Sequence, residues 1–400
     1  DNTLLSFIFI EYKLCLKKGG DGMIFSIIIP VYQSAAVLRL CIESLIHTVH
    51  FSSEAIIIDD NSPKETQNYL KHLSHYDSEL LTFTVMHNAQ PTGSVKAINK
   101  GLEKAKGQII VFLDSDVILT DGWQEQMKKA LFSPDIGAVG GVLVYPQTGG
   151  IQSCGITFSS YVGRHLFLNN RPSVIQEHYS QGFEINAAVF ALCGFKSNVF
   201  DKIGKLNESF FNGYEDYDFM FRIRSAGWKI ITDPFIIGMH FEKSNGIHRQ
   251  TNRKANIGLF WNLHSGEQIC DLWKFMLREA KLCGIGSGTY IGIDLSEVRS
   301  DAETAWDKLS AYLKIKHRLD YSSLVREKHI SLLEMLPPDM LCEPMPFLFL
   351  CDNFIQMLYN AYWYAMRSVY CKNDVIIDLC GNCIPFSQLN EQSWPGTKIR

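Results

Sequence analysis

The sequence lacks the long apolar runs and cofactor loops that mark several large classes of protein. No uninterrupted apolar run reaches the ~18–20 residues that a membrane-spanning helix requires. The turn after the first apolar run, residues 30–34, carries neither G-x-G-x-x-G nor G-x-x-x-x-G-K-[ST], which argues against a dinucleotide-dependent dehydrogenase and a P-loop enzyme. The net charge of -4 gives no indication of a nucleic-acid partner.

The sequence also lacks a cysteine framework. Its 11 cysteines are scattered, which favours free thiols in a reducing compartment. Cys380 and Cys383 form a C-x-x-C pair, but no strand–turn–helix pattern of a redox motif precedes them and no second pair completes a zinc site. We therefore predict a protein of the cytoplasm, including the inner face of its membrane, and expect no chemistry at this pair.

Length and composition predict two globular domains. The chain has 400 residues, of which 46% are hydrophobic and 20% charged, so it can form a sizeable core. Residues 1–22 do not match the pattern that follows, and we interpret them as an N-terminal extension before a natural start at Met23. We predict an α/β domain over residues 23–265 and a mainly helical accessory domain over residues 266–400.

Strand-like and helix-like patterns alternate through the first part of the α/β domain. The predicted strands are Phe25–Ile29, Ala55–Ile58, Leu81–Met86 and Ile109–Leu113, and amphipathic helical patterns separate them. This alternation predicts a mostly parallel sheet with right-handed crossovers, flanked by helices.

Two carboxylates follow the fourth predicted strand directly. Asp114 and Asp116 are one residue apart, at the carboxyl end of a buried strand, where α/β sheets bind ligands. Carboxylate oxygens are preferred ligands of divalent cations, and both can approach one ion that also holds phosphate. A simple turn is the alternative interpretation, since Asp and Ser are common turn residues.

Four motifs occur in order along the α/β domain: FSIIIPVYQSA from Phe25, AIIIDDNS from Ala55, DSD from Asp114, and GYEDYDFMFRIRSAGW from Gly213, which His240 follows. Together they resemble the inverting family 2 glycosyltransferases with the GT-A fold, from about Ile24 to about Leu263. The resemblance implies a nucleotide-diphosphate sugar donor of the UDP or dTDP type and a divalent cation, Mn²⁺ or Mg²⁺.

The resemblance assigns roles on the donor side of the site. Pro30 and Tyr32 match residues that frame the base of the donor, and Asp60 matches a carboxylate that accepts the N3–H of uracil or thymine. Asp114 matches the position that meets the ribose or the metal region. Asp116 and His240 match metal ligands. The alternatives are a turn residue for Asp60 and a hydrogen bond to a backbone group for His240.

The resemblance also assigns the chemical step and the acceptor side. Asp216 matches the general base that takes the proton of the acceptor hydroxyl, and the adjacent Glu215 is expected to assist it. Cys193, Gly194 and Asp218 match acceptor-side positions. Two alternatives remain open. Cys193-Gly194 is a buried strand in the first. In the second, Glu215, Asp216 and Asp218 are acidic residues that favour the first turn of a helix.

No family resemblance covers residues 266–400. Helical patterns contain Trp273, Trp306 and Met357, and Val375–Leu379 has the pattern of a strand. The aromatic residues of this region are consistent with an acceptor-binding surface, a homo-oligomer interface or a core, and a core is the default. The expected acceptor is a glycan, a lipid-linked glycan or a protein side chain. Peripheral membrane contact remains open, and no nucleic acid is expected.

Two other functions compete with sugar transfer. The first is a non-catalytic module that keeps the fold for interaction; the presence of Asp60, Asp116, Asp216 and His240 argues against such decay. The second is a nucleotidyltransferase, which also uses paired carboxylates and a metal. That class is expected to have a glycine-rich, basic loop after the first strand. Val31–Ser34 is neither rich in glycine nor basic.

Overall fold

A computed structural model describes most of the chain. The described residues are 24–32, 35–76, 78–159, 162–242, 246–265, 267, 270–286, 288–322, 336, 338–355 and 361–388. The N-terminal extension and the predicted helical residue Met357 lie outside these ranges. Within the described part of the chain, no helix is both long enough and apolar enough to cross a membrane.

The described residues form two main sheets, one short two-stranded sheet and the helices that surround them. The strands are β1 Phe25–Val31, β2 Ser53–Asp59, β3 Leu81–His87, β4 Ile109–Leu113, β5 Val117–Leu119, β6 Ile136–Val144, β7 Ile151–Ser153, β8 Ile156–Ser159, β9 Val162–His165, β10 Phe183–Ile185, β11 Leu192–Lys196, β12 Lys229–His240, β13 Thr289–Asp294, β14 Lys314–Asp320, β15 Phe347–Cys351, β16 Val375–Asp378 and β17 Cys383–Pro385. The helices are α1 Ala35–Thr48, α2 Lys64–Leu73, α3 Ser94–Leu102, α4 Trp123–Phe132, α5 Pro172–His178, α6 Ser197–Ile203, α7 Glu215–Ser225, α8 Gly246–Leu263, α9 Leu272–Leu282, α10 Arg299–Tyr312 and α11 Ala361–Tyr370, with 3₁₀ turns at Pro338–Cys342 and Phe386–Gln388.

The first sheet confirms the predicted alternation of strands and helices. Its order is β10-β12-β6-β11-β4-β1-β2-β3, with β5 beside β12 and β7 beside β6. The four predicted strands β1 to β4 pair in parallel, and β6 pairs in parallel with β12. Only β11 interrupts this direction in the middle of the sheet, since it runs antiparallel to both β4 and β6.

Both faces of this sheet are covered, which explains the uninterrupted apolar runs in its central strands. Side chains alternate across a strand. Ile27 and Ile29 of β1 therefore pack with α1 and α4 on one face, whereas Ile28 packs with α3 on the other. Trp123 of α4 is fully buried against β1, where its ring meets that of Phe25 edge to face.

The C-terminal region contains a second sheet as well as helices. Its order is β14-β13-β15-β16-β17, and all pairs except β16–β17 are parallel. Sequence reasoning expected a mainly helical domain and found only β16 of these five strands. The boundary predicted near residue 266 stays a prediction; α8 and α9 lie on either side of it.

The carboxyl edge of the second sheet packs against the short β8–β9 hairpin and the residues after it. The backbone N–H of Phe167 donates to the carbonyl of Cys380, and Asn382 donates to the carbonyl of Leu168. Arg164 of β9 forms a 2.6 Å ion pair with Asp301 of α10, and their side chains are only 16% and 3% exposed. A two-stranded hairpin is marginally stable by itself, so the second sheet supports it.

We predict that Arg164→Ala destabilises the protein by about 3–5 kcal/mol, because it leaves the buried carboxylate of Asp301 without its cation. Urea unfolding followed by circular dichroism measures this change. Lys205→Ala is the matched control, since it removes an exposed ion pair with Glu103 and is expected to leave stability almost unchanged. Equal effects of the two substitutions would contradict the interpretation.

Candidate functional site

The candidate site lies at the carboxyl edge of the first sheet. The strands β1, β2, β4, β6 and β12 all point the same way, so their carboxyl ends meet at one edge. Tyr32 follows β1, Asp60 follows β2, Asp114 follows β4 and His240 ends β12. The parallel pairing therefore gathers residues that are up to 208 positions apart in the sequence.

A short antiparallel pairing places His240 beside the two aspartates. The three residues of β5, immediately after Asp116, pair with the last three residues of β12, and Val117 lies opposite His240. The N–H of Phe241 also donates to the carbonyl of Asp116. As a result, Nε2 of His240 lies 3.3 Å from a carboxylate oxygen of Asp116 and 3.8 Å from one of Asp114.

These three side chains could hold one metal ion. One ligand atom from each lies within 4.8 Å of the other two. Ligands about 2.1 Å from an octahedral ion are about 3.0 Å apart when they occupy neighbouring positions, which is close to the observed separations. Carboxylate oxygens with one imidazole suit Mn²⁺ or Mg²⁺. Asp114, predicted near the metal, thus joins the predicted ligands Asp116 and His240.

The electrostatics of His240 reflect the same cluster. Burial favours the neutral imidazole, but the hydrogen bond to Asp116 and the charges of both aspartates raise the pKa of His240 above its ordinary value. Its other ring nitrogen, Nδ1, lies 2.6 Å from Oε1 of Gln152. The negative charge around the ring therefore attracts either a proton or a cation to Nε2.

The loop before α7, which leads to the candidate base Asp216, has an unusual backbone conformation. Asn212, Gly213 and Tyr214 all have positive φ, at 51°, 140° and 72°. For residues with side chains this costs free energy, and such positions are common at functional sites. The side-chain nitrogen of Asn256 on α8 donates to the carbonyls of Phe211 and Gly213 and thereby supports the loop.

Asp216 and Glu215 lie in the first turn of α7. Glu215 accepts a hydrogen bond from the N–H of Gly213, so its carboxylate supports its own turn. Asp216 accepts one from the N–H of Tyr217. Burial and then the negative charge of Asp216 raise the pKa of Cys193 well above its ordinary value, so Asp216 lies near Cys193 of β11. β11 begins beside the end of β4, where Asp114 lies.

Asp60 is deeply embedded in its own loop. Its carboxylate accepts hydrogen bonds from the N–H and hydroxyl of Thr92, the N–H of Gly93 and the side-chain amide of Asn88, all between 2.8 and 2.9 Å. Burial opposes ionisation, but these donors outweigh it and lower the pKa of Asp60. Four donors saturate a carboxylate, so a pyrimidine base would have to displace one of them.

Tyr32 and Pro30 lie beside this loop. The side chain of Tyr32 is 47% exposed at the end of β1, where an aromatic ring can stack on a base. Pro30 lies beyond Ile28, the last residue of β1 that pairs with β4, so its missing N–H costs no pairing there.

Residues 26–204 match the family model described as glycosyl transferase family 2. This region belongs to that family. Its sheet, mostly parallel and flanked by helices, confirms the fold class that the resemblance implied. The region that belongs to family 2 contains Tyr32, Asp60, Asp114 and Asp116; Asp216 and His240 follow it in the chain.

Curated relatives match a larger share of the chain than the family model does. The chain is 27% identical to the uncharacterized protein y4gI of Sinorhizobium fredii over 61% of its own length and 27% of that protein. It is 26% identical to the pre-mycofactocin glycosyltransferase of Mycobacterium tuberculosis over 54% of its own length and 42% of that protein. The chain thus spans less than half the length of these two relatives.

Solved structures resemble the chain at low sequence identity. The mannosyltransferase PcManGT of Pyrobaculum calidifontis, solved with GDP-Man and Mn²⁺, is 17% identical with a TM-score of 0.49, over 91% of this chain and 93% of that one. GalNAc-T7, solved with UDP, GalNAc and Mn²⁺, is 18% identical with a TM-score of 0.47, over 55% and 44%.

The acceptor-side predictions for the family 2 domain gain no support from the geometry. Cys193 is fully buried in β11, and a side chain at Gly194 would collide with Met127, so this segment is the buried strand of the alternative interpretation. Asp218 is 3% exposed and binds Arg222 and His264. Its carboxylate therefore anchors α7 to His264, the residue that follows α8.

Sequence reasoning missed three residues that shape the site: Gln152, Asn256 and Thr92. Each is a neutral polar residue outside the motifs that carry the family resemblance, and each acts through a hydrogen bond to a distant part of the chain. Nothing in the local sequence pattern distinguishes them from other neutral polar residues.

We predict that His264 makes the stability of the family 2 domain depend on pH. Burial lowers the pKa of His264, but Asp218, with Arg222 on its other oxygen, and Glu267 raise it above 6.5. A raised folded pKa stabilises the protein fully below the unfolded value and loses this effect as pH rises through the folded value.

His264→Gln should therefore flatten the decline in unfolding free energy above about pH 6.5, as measured by urea unfolding at several pH values. His75→Gln, at an exposed turn position, is the control and should leave the profile unchanged. A His264→Gln profile identical to that of the unsubstituted protein would exclude this role.

Proposed function

We propose that the chain is a metal-dependent, inverting glycosyltransferase that moves a sugar from a UDP- or dTDP-sugar to a hydroxyl group. The observation that carries the proposal is the meeting of Asp114, Asp116 and His240 at the same sheet edge as Asp216, in a chain whose first domain belongs to family 2. The glycosyltransferases among its curated relatives support the general activity.

Asp114, Asp116 and His240 would hold the divalent cation, Mn²⁺ or Mg²⁺. The bound cation would supply a positive charge that stabilises the diphosphate leaving group. The chain itself offers mostly acidic groups at this edge, so an anionic diphosphate is not expected to bind there without a cation.

Asp216 would act as general base in a single in-line displacement. The oxygen of the acceptor hydroxyl forms a bond to the anomeric carbon, the bond from that carbon to the diphosphate oxygen breaks, and the hydroxyl proton passes to the carboxylate of Asp216. One displacement inverts the configuration at the anomeric carbon. Glu215, which binds the N–H of Gly213, would hold Asp216 in place instead of touching the acceptor.

The donor base would lie at the ends of β1 and β2. Tyr32 is exposed there and offers a stacking surface, while Pro30 shapes the strand end. Asp60 organises the loop of Thr92 and Gly93 and would reach the base only by giving up one of its present donors. The acceptor, a glycan, a lipid-linked glycan or a protein side chain, would approach from the side of Asp216.

The cellular setting is part of the same proposal. Scattered cysteines support a reducing compartment, which favours the cytoplasm, including the inner face of its membrane. Self-association through the C-terminal region is a further proposal, for which the exposed Val369 and Tyr370 at the end of α11 offer apolar surface.

We predict that two isosteric substitutions separate binding from chemistry. Asp216→Asn should reduce sugar transfer about 10²–10⁴-fold, because it removes the base. It should leave the affinity for the nucleotide diphosphate nearly intact. Asp116→Asn should instead weaken nucleotide binding in the presence of Mn²⁺.

Calorimetric titration of UDP, dTDP and GDP, each with and without Mn²⁺, measures the binding, and release of nucleotide diphosphate measures turnover. Near-normal turnover of Asp216→Asn would refute the base assignment. Failure of all three nucleotides to bind would refute the proposed function.

A further inference from the structure

A chain of two polar side chains lies behind His240, on the side away from the aspartates. Nδ1 of His240 is 2.6 Å from Oε1 of Gln152, and Nε2 of Gln152 is 3.1 Å from a carboxylate oxygen of Glu242. Gln152 belongs to β7 and is 6% exposed. Glu242 follows β12 and is exposed.

The partners of Gln152 determine which way its amide faces. An ionised carboxylate only accepts hydrogen bonds, so Glu242 must face the NH₂ group of Gln152. The carbonyl oxygen of Gln152 then faces His240. Because this oxygen also only accepts, Nδ1 of His240 must carry a hydrogen and donate it.

This hydrogen bond selects one form of the neutral imidazole. With the hydrogen on Nδ1, the lone pair of the neutral ring is on Nε2, which is the nitrogen that faces Asp116 and Asp114. The hydrogen bond made by one ring nitrogen commonly decides which nitrogen binds a metal. The opposite tautomer would direct an N–H toward the cation.

We propose that Gln152 and Glu242 are positioning residues, which hold His240 in the tautomer that binds the divalent cation. The inference deepens the proposed function and rests on its metal site. Neither residue touches the ion; each acts through the next one in the chain Glu242–Gln152–His240.

The backbone supports this assignment. Glu242 has a φ of 38°, a left-handed conformation that is unfavourable for a residue with a side chain. It adopts this conformation two residues after His240, where the turn directs its carboxylate back to Gln152. On the other side, β7 pairs with β6, the neighbour of β12. Gln152 lies at an irregularity in this pairing, between Ile151 and Ser153, which pair with Val144 and Leu143.

The first test measures Mn²⁺ affinity without any substrate, from the electron paramagnetic resonance signal of free Mn²⁺. Gln152→Met removes the acceptor without changing charge and should weaken binding about 10–100-fold. Gln152→Glu restores an acceptor for Nδ1–H. It should bind Mn²⁺ more tightly than Gln152→Met does, with an affinity within a few-fold of that of the unsubstituted protein. Gln176→Met, at a half-buried glutamine that binds the carbonyl of Pro234, is the control and should change nothing.

The second test reads the tautomer directly, by ¹⁵N NMR of the histidine side chains in the metal-free protein at a pH high enough for the ring of His240 to be neutral. The signals of His240 are assigned by their loss in His240→Gln. The unsubstituted protein should show hydrogen on Nδ1, and Gln152→Met should lose this preference. Glu242→Gln, at an exposed position, should give a mixture of tautomers, because a glutamine there can donate as well as accept.

The outcomes separate this inference from the proposed function. Normal Mn²⁺ affinity in Gln152→Met, or a neutral His240 ring with its hydrogen on Nε2 in the unsubstituted protein, overturns the positioning role and leaves the metal site standing. Absence of Mn²⁺ binding in the unsubstituted protein overturns both. Weakened Mn²⁺ binding and a lost tautomer preference support the inference even if no sugar transfer is found.

Discussion

The site depends on the pairing of three residues of β5 with the last three residues of β12. This antiparallel pairing is the contact that places His240 opposite Val117 and therefore next to Asp116. β12 can form this pairing because it changes partners along its length. Its first half pairs with β10, and its end pairs with β5. Its pairing with β6 is irregular between Thr232 and Ile237, around Pro234, which cannot donate to a sheet.

Like charges at the sheet edge set the chemical character of the site. Asp114 and Asp116 are partly exposed beside a buried imidazole, so the protein gathers negative charge where a strand leaves the core. A proton on His240 or a bound cation offsets this charge, and a cation in turn makes an anionic ligand acceptable. Asp218 and Asp60 differ from these two aspartates. Arg222 compensates the charge of Asp218, and four hydrogen-bond donors stabilise that of Asp60.

The second sheet contributes to the first domain through the β8–β9 hairpin. The hairpin contacts Tyr217, the neighbour of Asp216: the rings of Phe158 and Tyr217 meet edge to face, and Gly163 leaves room for the tyrosine ring. On its other side the hairpin is held by Asp301 and by Asp271, which binds the backbone of Phe158. Residues far along the chain therefore support the turn that carries the candidate base.

Sequence reasoning predicted the features that depend on local pattern and missed those that depend on distant contacts. The apolar runs of β1, β2 and β4 and the carboxylates that follow β2 and β4 were readable, because a buried parallel strand leaves a continuous apolar signature. The acceptor-side role of Asp218 stays a prediction; the motif carries a half-buried acid, Asp216, and a buried one, Asp218, two residues apart. Gln152 could not be found, because a single glutamine in a short strand gains its role only when β7, β6 and β12 lie side by side. The second sheet was missed except for β16. β15 is an uninterrupted apolar run of five residues, and a run this short cannot be told from part of a buried helix by periodicity alone.

The most direct test of the account is a crystal structure of the protein grown with Mn²⁺ and UDP, with data collected at the manganese absorption edge. The account predicts one strong anomalous peak between Nε2 of His240 and the carboxylates of Asp116 and Asp114, in contact with the diphosphate. A peak elsewhere, or nucleotide bound with no manganese at these three residues, would contradict it.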